Sequence, residues 1–188
     1  MTTAQVTRTE QDLVSVLLDA HACGRRILDA ARRVLEEGAT DDLVTRVATM
    51  VHSFVTLANP LHELDEEQRV FPALRAYGPK DEVDAALTYV VDEHIAFDDL
   101  RDRLAMRWAH VAETPACLGP LREDLLQMTE QLIHSLGRHA EHEELVIFPL
   151  VRKYVPVEVQ AKILAVISNR EGMGPDVGGS VNLDRVSG

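Results

Sequence analysis

The sequence predicts an all-α protein: an antiparallel up-down-up-down four-helix bundle with a short C-terminal fifth helix. Three observations carry that expectation. Apolar residues recur three, four or seven apart through four long stretches. Gly, Pro or capping residues bound each stretch. Period-two alternation is missing over any useful length, and so is an alternation of strand and helix patterns.

The first helix reads from Leu13. Leu17, Gly24, Leu28, Ala31 and Leu35 share a stripe with His21, and Gly38 closes the run. Asp41 or Asp42 is the expected cap of the second helix. There Val51, Val55 and Ala58 share a face with His62, Glu66 and Val70, and Pro60 is expected to kink or divide the helix. Gly78-Pro79 opens the third, with Asp81 as its expected cap. Its broad side carries Leu87, Val91, His94, Arg101, Leu104 and Trp108, and Thr114-Pro115 stops it. Gly119-Pro120 opens the fourth, whose stripe is Leu125, Leu132, Leu136, His139, Glu143, Val146 and Leu150. Residues 157–168 form a short fifth segment after Pro156. The two chain ends read as flexible.

A repeat lies inside this pattern. HELDEEQRVFPAL begins at His62 and HAEHEELVIFPLV at His139. Both contain His-x-x-x-Glu-Glu, then an apolar residue, Phe and Pro. Each follows a helix with one striped histidine, His21 before the first and His94 before the second. The chain thus reads as two similar helical hairpins packed around an approximate two-fold axis.

Positions i and i+4 share a helix face, so His62 points with Glu66 and His139 with Glu143. With His21 and His94 the core stripes hold four imidazoles and two carboxylates. Buried carboxylates without a counter-charge are too costly to be passive filling, and a metal supplies that charge. Imidazole nitrogen with carboxylate oxygen suits iron, manganese or zinc. The expected arrangement is dinuclear, with Glu66 and Glu143 between the ions. Glu63 lies about 100° around the helix from His62. It is a candidate terminal ligand if Pro60 loosens that turn, and Ala140 in the other repeat would make the two metals inequivalent. Taken singly, each His or HxxxE has a plain alternative as a core residue or surface pair, and the EE pairs could be solvated faces. The duplication is what favours metal.

Other residues are expected elsewhere. The helical phase puts His52, His110 and His134 at the surface or behind the ligands. His142, about 60° around the helix from His139, could reach the centre, and the favoured reading assigns it to an interhelical seam or to orienting a carboxylate. Phe71 and Phe148 shield the metal chamber, while Pro72 and Pro149 end or bend their helices. Cys23 and Cys117 form no disulfide framework.

These residues resemble the hemerythrin-like family, also described by its His-His-Glu cation-binding domains. The family pattern places a His on the first helix, HExxE on the second, His on the third and HxxxE on the fourth. Here these are His21, His62-Glu63-Leu64-Asp65-Glu66, His94, and His139 through Glu143. The resemblance covers residues 10–153, flanked by a flexible N-terminus (1–9), an additional helix (154–170) and a flexible tail (171–188). It implies a non-haem diiron centre with an oxo or hydroxo bridge, open to dioxygen, peroxide or nitric oxide, with manganese as a possible substitute. Oxygen-carrying members have HxxxH on the third helix. Here Val90 and Asp98 flank His94 at that spacing, and Glu63 is the candidate for the vacancy. A carboxylate there favours the higher iron charge.

The counts of 19 basic and 31 acidic residues give a net charge of -12, which argues against nonspecific binding to nucleic acid or anionic membranes. The N-terminus lacks a signal-peptide pattern, and no run of about 18 apolar residues could span a bilayer, so the chain reads as cytoplasmic. The leading functional expectation is redox chemistry or sensing of small oxygen or nitrogen species, with catalase-like turnover as one enzymatic form. The alternatives are a noncatalytic oxygen- or iron-binding protein, a redox sensor acting through a protein partner, and a structural bundle without metal.

Overall fold

A computed structural model describes residues 12–171. Helix α1 is Leu13–Glu37. The Asp12 carboxylate accepts the Ser15 N–H at 2.7 Å and caps its start, and Gly38, at φ 79°, ends it. Helix α2 spans residues 41–77. Its α-helical stretches Asp41–Ser53, Asn59–Asp65 and Phe71–Tyr77 are joined by π-helical turns at Phe54–Ala58 and Glu66–Val70. Helix α3 is Lys80–Glu113. After a 3₁₀ turn at Pro115–Cys117, helix α4 spans residues 118–154, with a π turn at Glu143–Ile147. Helix α5 is Val157–Glu171. Helix α1 packs on α2 and α4, and α3 packs on the same two. Four helices therefore close a ring in chain order, as short connections between antiparallel neighbours require.

The expected caps shift by one or two positions. Thr40 precedes α2, and Asp41 and Asp42 occupy its first turn. Pro79 precedes α3, with Asp81 and Glu82 in the first turn. There the acidic side chains face the positive end of the helix dipole instead of capping an amide.

The prolines account for the π turns. Each π segment ends two residues before Pro60, Pro72 or Pro149. A proline ring clashes with the carbonyl four residues back. Those carbonyls belong to Thr56, Gln68 and Leu145, all within the widened turns. The N–H just before each proline instead reaches back five residues: Asn59 to Phe54, Phe71 to Glu66, and Phe148 to Glu143. Of the two expected outcomes, an end or a bend, Pro72 and Pro149 thus do not produce an end. The extra residue also advances the buried stripe by one. Ala58 and Val146 are exposed, whereas Asn59 and Ile147 are buried.

Two apolar cores fill the bundle. One contains Leu28, Val51, Leu104, Trp108 and Leu132; the other contains Leu17, Phe71, Leu87, Phe148 and Val151. Along each of the four helices the striped histidines and glutamates lie between these cores. Helix α5 adds Ile163 and Ile167 to the second core, and its Arg170 donates to the buried Asp65 carboxylate of α2. The expected end segments 1–9 and 172–188 lie outside the described residues; Glu171, expected in the tail, closes α5. No helix among the described residues is long and apolar enough to cross a membrane.

Candidate metal centre

Four helices bring the striped residues together at mid-bundle. His21 Nε2 lies 2.9 Å from His62 Nε2, and His94 Nε2 lies 3.1 Å from His139 Nε2. Two buried carboxylates stand against these pairs. Glu66 turns Oε1 toward His62 at 3.3 Å and Oε2 toward His94 at 3.9 Å. Glu143 turns Oε2 toward His21 at 3.2 Å and Oε1 toward His139 at 3.4 Å. Each carboxylate therefore offers one oxygen to each histidine pair. His21, His62, Glu66 and Glu143 form one potential ligand group, and Glu66, His94, His139 and Glu143 form the other.

Glu66 and Glu143 are both 0% exposed, and none of their four oxygens has a hydrogen-bond partner. Buried polar atoms are almost always satisfied, so four orphaned acceptors facing imidazole nitrogens call for a cation. Burial pushes the Glu66 carboxyl well above the ordinary carboxylate range, and the Glu143 charge adds to that. Burial opposes the Glu143 charge as well, but His21, His139 and His62 outweigh it and hold this carboxyl below its ordinary value. His62 is pushed down to about 3, by burial first and by the neighbouring His21 second. Burial therefore works against a charge on Glu66 and on His62.

The outer imidazole nitrogens have carboxylate partners. His94 Nδ1 lies 2.7 Å from Glu67, His21 Nδ1 lies 2.9 Å from Glu144, and His139 Nδ1 lies 3.0 Å from Glu93. An Nδ1–H donating outward leaves Nε2 as an inward lone pair. The second Glu of each EE pair thus orients the histidine of the other hairpin. The repeat's Phe residues cross over in the same way. Phe148 stacks on His21 with centroids 5.5 Å apart, and Phe71 stacks on His94 at 6.3 Å. The two hairpins differ in the residue that precedes the first histidine of each. The residue preceding His94 is Glu93, which serves His139; the residue preceding His21 is Ala20.

Glu63 is not in either group. Its Oε1 accepts from Asn59 Nδ2 at 2.7 Å, and its Oε2 accepts from Arg101 Nη1 at 2.5 Å. The expectation of a terminal metal ligand thus meets a competing cation. Arg101 falls on the His94 stripe, seven residues or two turns further along. His142 faces a seam, donating from Nε2 to the Ala86 carbonyl at 3.0 Å. His110 and His134 are exposed and His52 is half-buried. Sequence reasoning missed Glu67, Glu93, Glu144 and the role of Arg101. The doubled EE and an arginine on an apolar stripe were the available signals.

The sequence model of the hemerythrin HHE cation-binding domain matches residues 11–151, which contain every residue of both ligand groups. No curated protein and no solved structure matches the chain. Helix α5 lies outside the matched span, so the match rests on the four-helix ring and its duplicated His/Glu layer. The chain belongs to the hemerythrin HHE cation-binding domain family.

Proposed function

We propose that the chain is a non-haem diiron protein, with one iron at each ligand group. In this reading it binds or reacts with dioxygen, peroxide or nitric oxide in a redox or oxidative/nitrosative stress response. The observation that supports it most is the set of four buried, unpartnered oxygens on Glu66 and Glu143, each turned toward one of two imidazole pairs. His21 and His62 would hold one ion and His94 and His139 the other, with both carboxylates shared. Nitrogen and oxygen donors in this mixture suit iron, with manganese as the substitute.

Bound iron supplies the one-electron redox changes and the coordination positions that such small ligands use. The protein's own groups set the conditions. Glu67, Glu93 and Glu144 hold the Nδ1 protons of three imidazoles and keep their Nε2 lone pairs aimed inward. Phe71 and Phe148 cover two of the rings and keep water from them. The shared carboxylates spread their charge over both positions, which lets the layer accept two cations.

Anaerobic reconstitution with Fe(II), elemental analysis and spectroscopy on admission of air test this reading. One iron per ligand group and a visible absorption change on oxidation are expected. Recovery of iron-free protein after desalting would sink the proposal.

A further inference from the structure

We infer that Arg101 is a positioning residue that holds Glu63 off the metal, and so keeps a coordination position open to a small neutral ligand. The inference rests on the diiron reading above. Arg101 is 6% exposed and Glu63 is 7% exposed, so their ion pair is shielded from water. Both carboxylate oxygens of Glu63 are engaged, one by Arg101 and one by Asn59, itself buried. A second guanidinium nitrogen of Arg101 donates to Asp98, which fixes the plane of the fork. Glu63 directly follows His62, and its charge reaches Glu66. It is therefore a carboxylate beside the centre that contributes no oxygen to either ligand group.

Glu63 and Arg101 also line a groove of about 210 Å³ together with His94. Its other lining residues are Pro60, Leu64 and Ile95, with the carboxylates of Glu67 and Asp98. Three carboxylates against one guanidinium repel an anion, which favours a small neutral ligand. The alternative state of Glu63 is a ligand substitution. The carboxylate trades the guanidinium N–H for the metal, and a water or small ligand leaves that metal position; no electron moves. Breaking a buried ion pair leaves an uncompensated charge, so Arg101 opposes that exchange. Removing Arg101 should release Glu63 and close the position.

The test is equilibrium binding of nitric oxide to the Fe(II)-loaded full chain, followed by absorbance. Nitric oxide is neutral, which minimises direct attraction to Arg101. Arg101→Gln should bind it about tenfold more weakly than wild type, the scale of a lost outer contact at a metal site. Arg101→Lys should keep most of the affinity. Glu63→Gln should bind at least as tightly as wild type, and in that background Arg101→Gln should cost nothing further. An equal loss in Arg101→Gln with and without Glu63→Gln would overturn the inference, as would wild-type affinity in Arg101→Gln. If Arg101→Gln loses helicity, Arg101→Met takes its place, because it keeps the length of the apolar stem and removes the guanidinium. A weakening that Glu63→Gln cancels supports the inference; a weakening that persists, or none, overturns it. Wild-type protein that takes up no iron overturns the diiron reading and this inference together. Iron-loaded wild type with a Glu63-independent Arg101 effect overturns this inference alone.

Discussion

Glu66 shows the conflict between stability and function in a single side chain. It is fully buried and lacks hydrogen-bond partners, and burial raises its carboxyl well above the ordinary carboxylate range. An unsatisfied buried polar group costs about 1–3 kcal/mol. Glu66→Leu keeps similar bulk and removes that cost. Urea denaturation of the two metal-free proteins should show the variant more stable by about 1–3 kcal/mol, while its iron content collapses. A variant that is destabilised when metal-free would show that Glu66 has a partner in solution. The same raised carboxyl sets a pH dependence. Its folded value lies above its unfolded one, so its contribution to metal-free stability is complete below the ordinary carboxylate range. That contribution is lost as pH rises through the folded value. Metal binding needs the ionised form and releases the proton. Iron affinity should therefore rise with pH over the same interval in which metal-free stability falls. Calorimetric titrations in buffers of different ionisation enthalpy would count the released proton, and a count of zero would contradict the assignment.

The π turns are the element that adapts proline-bearing helices to the site. Glu66 and Glu143 are each the first residue of a π turn, and each turn precedes a Phe-Pro pair. The widened turn relieves the proline ring and advances the stripe by one residue, which buries Ile147 and Phe148 below Glu143. Pro149→Ala restores an N–H and removes the ring, so a regular α-helical turn becomes available. The expected result is unchanged or higher helix stability with iron affinity about tenfold lower, because Phe148 no longer backs His21 in the same register. Thermal unfolding and chelator competition measure the two quantities. Unchanged affinity would mean that packing alone holds the π turn. Helix α5 is a second adaptation, outside the family match. Its Arg170 donates to Asp65, between His62 and Glu66 in sequence, which ties the C-terminal helix to the backbone that carries two candidate ligands.

At the scale of the whole molecule, a polar layer divides two apolar cores, and the two hairpins exchange support across it. Glu67 and Phe71 of the first hairpin serve His94 of the second, while Glu144 and Phe148 of the second serve His21 of the first. Metal binding to this layer couples directly to folding, since the unfolded chain has no such site. At free Fe(II) about a hundredfold above its dissociation constant, stability should rise by about 2.7 kcal/mol for each independent site. Anaerobic urea denaturation with Fe(II) and with excess chelator checks this through Trp108, which is buried in the core away from α5. Identical midpoints in the two conditions would remove metal from the folding equilibrium.

The sequence by itself determined the helix number, the antiparallel order and the two ligand stripes. Each follows from local periodicity: i, i+3, i+4 and i+7 spacings choose a face, and Gly or Pro marks an end. The duplicated HxxxEE made His21, His62, Glu66, His94, His139 and Glu143 visible together. Register within the π turns was not legible, because a regular 3.6-residue period placed Ala58 and Val146 on the buried stripe. The outward partners of the imidazoles were not legible either. Glu67 and Glu144 face histidines in the opposite hairpin, and Glu93 reaches a histidine on the next helix. Only tertiary packing decides which helix stands next to a given turn. Glu63 is the clearest case. Its neighbour in sequence is a candidate ligand, and its partner in space is Arg101, brought to it by the packing of α3 against α2. A local motif specifies where a carboxylate starts; the cation it faces depends on the long-range packing that sets the local electrostatic field.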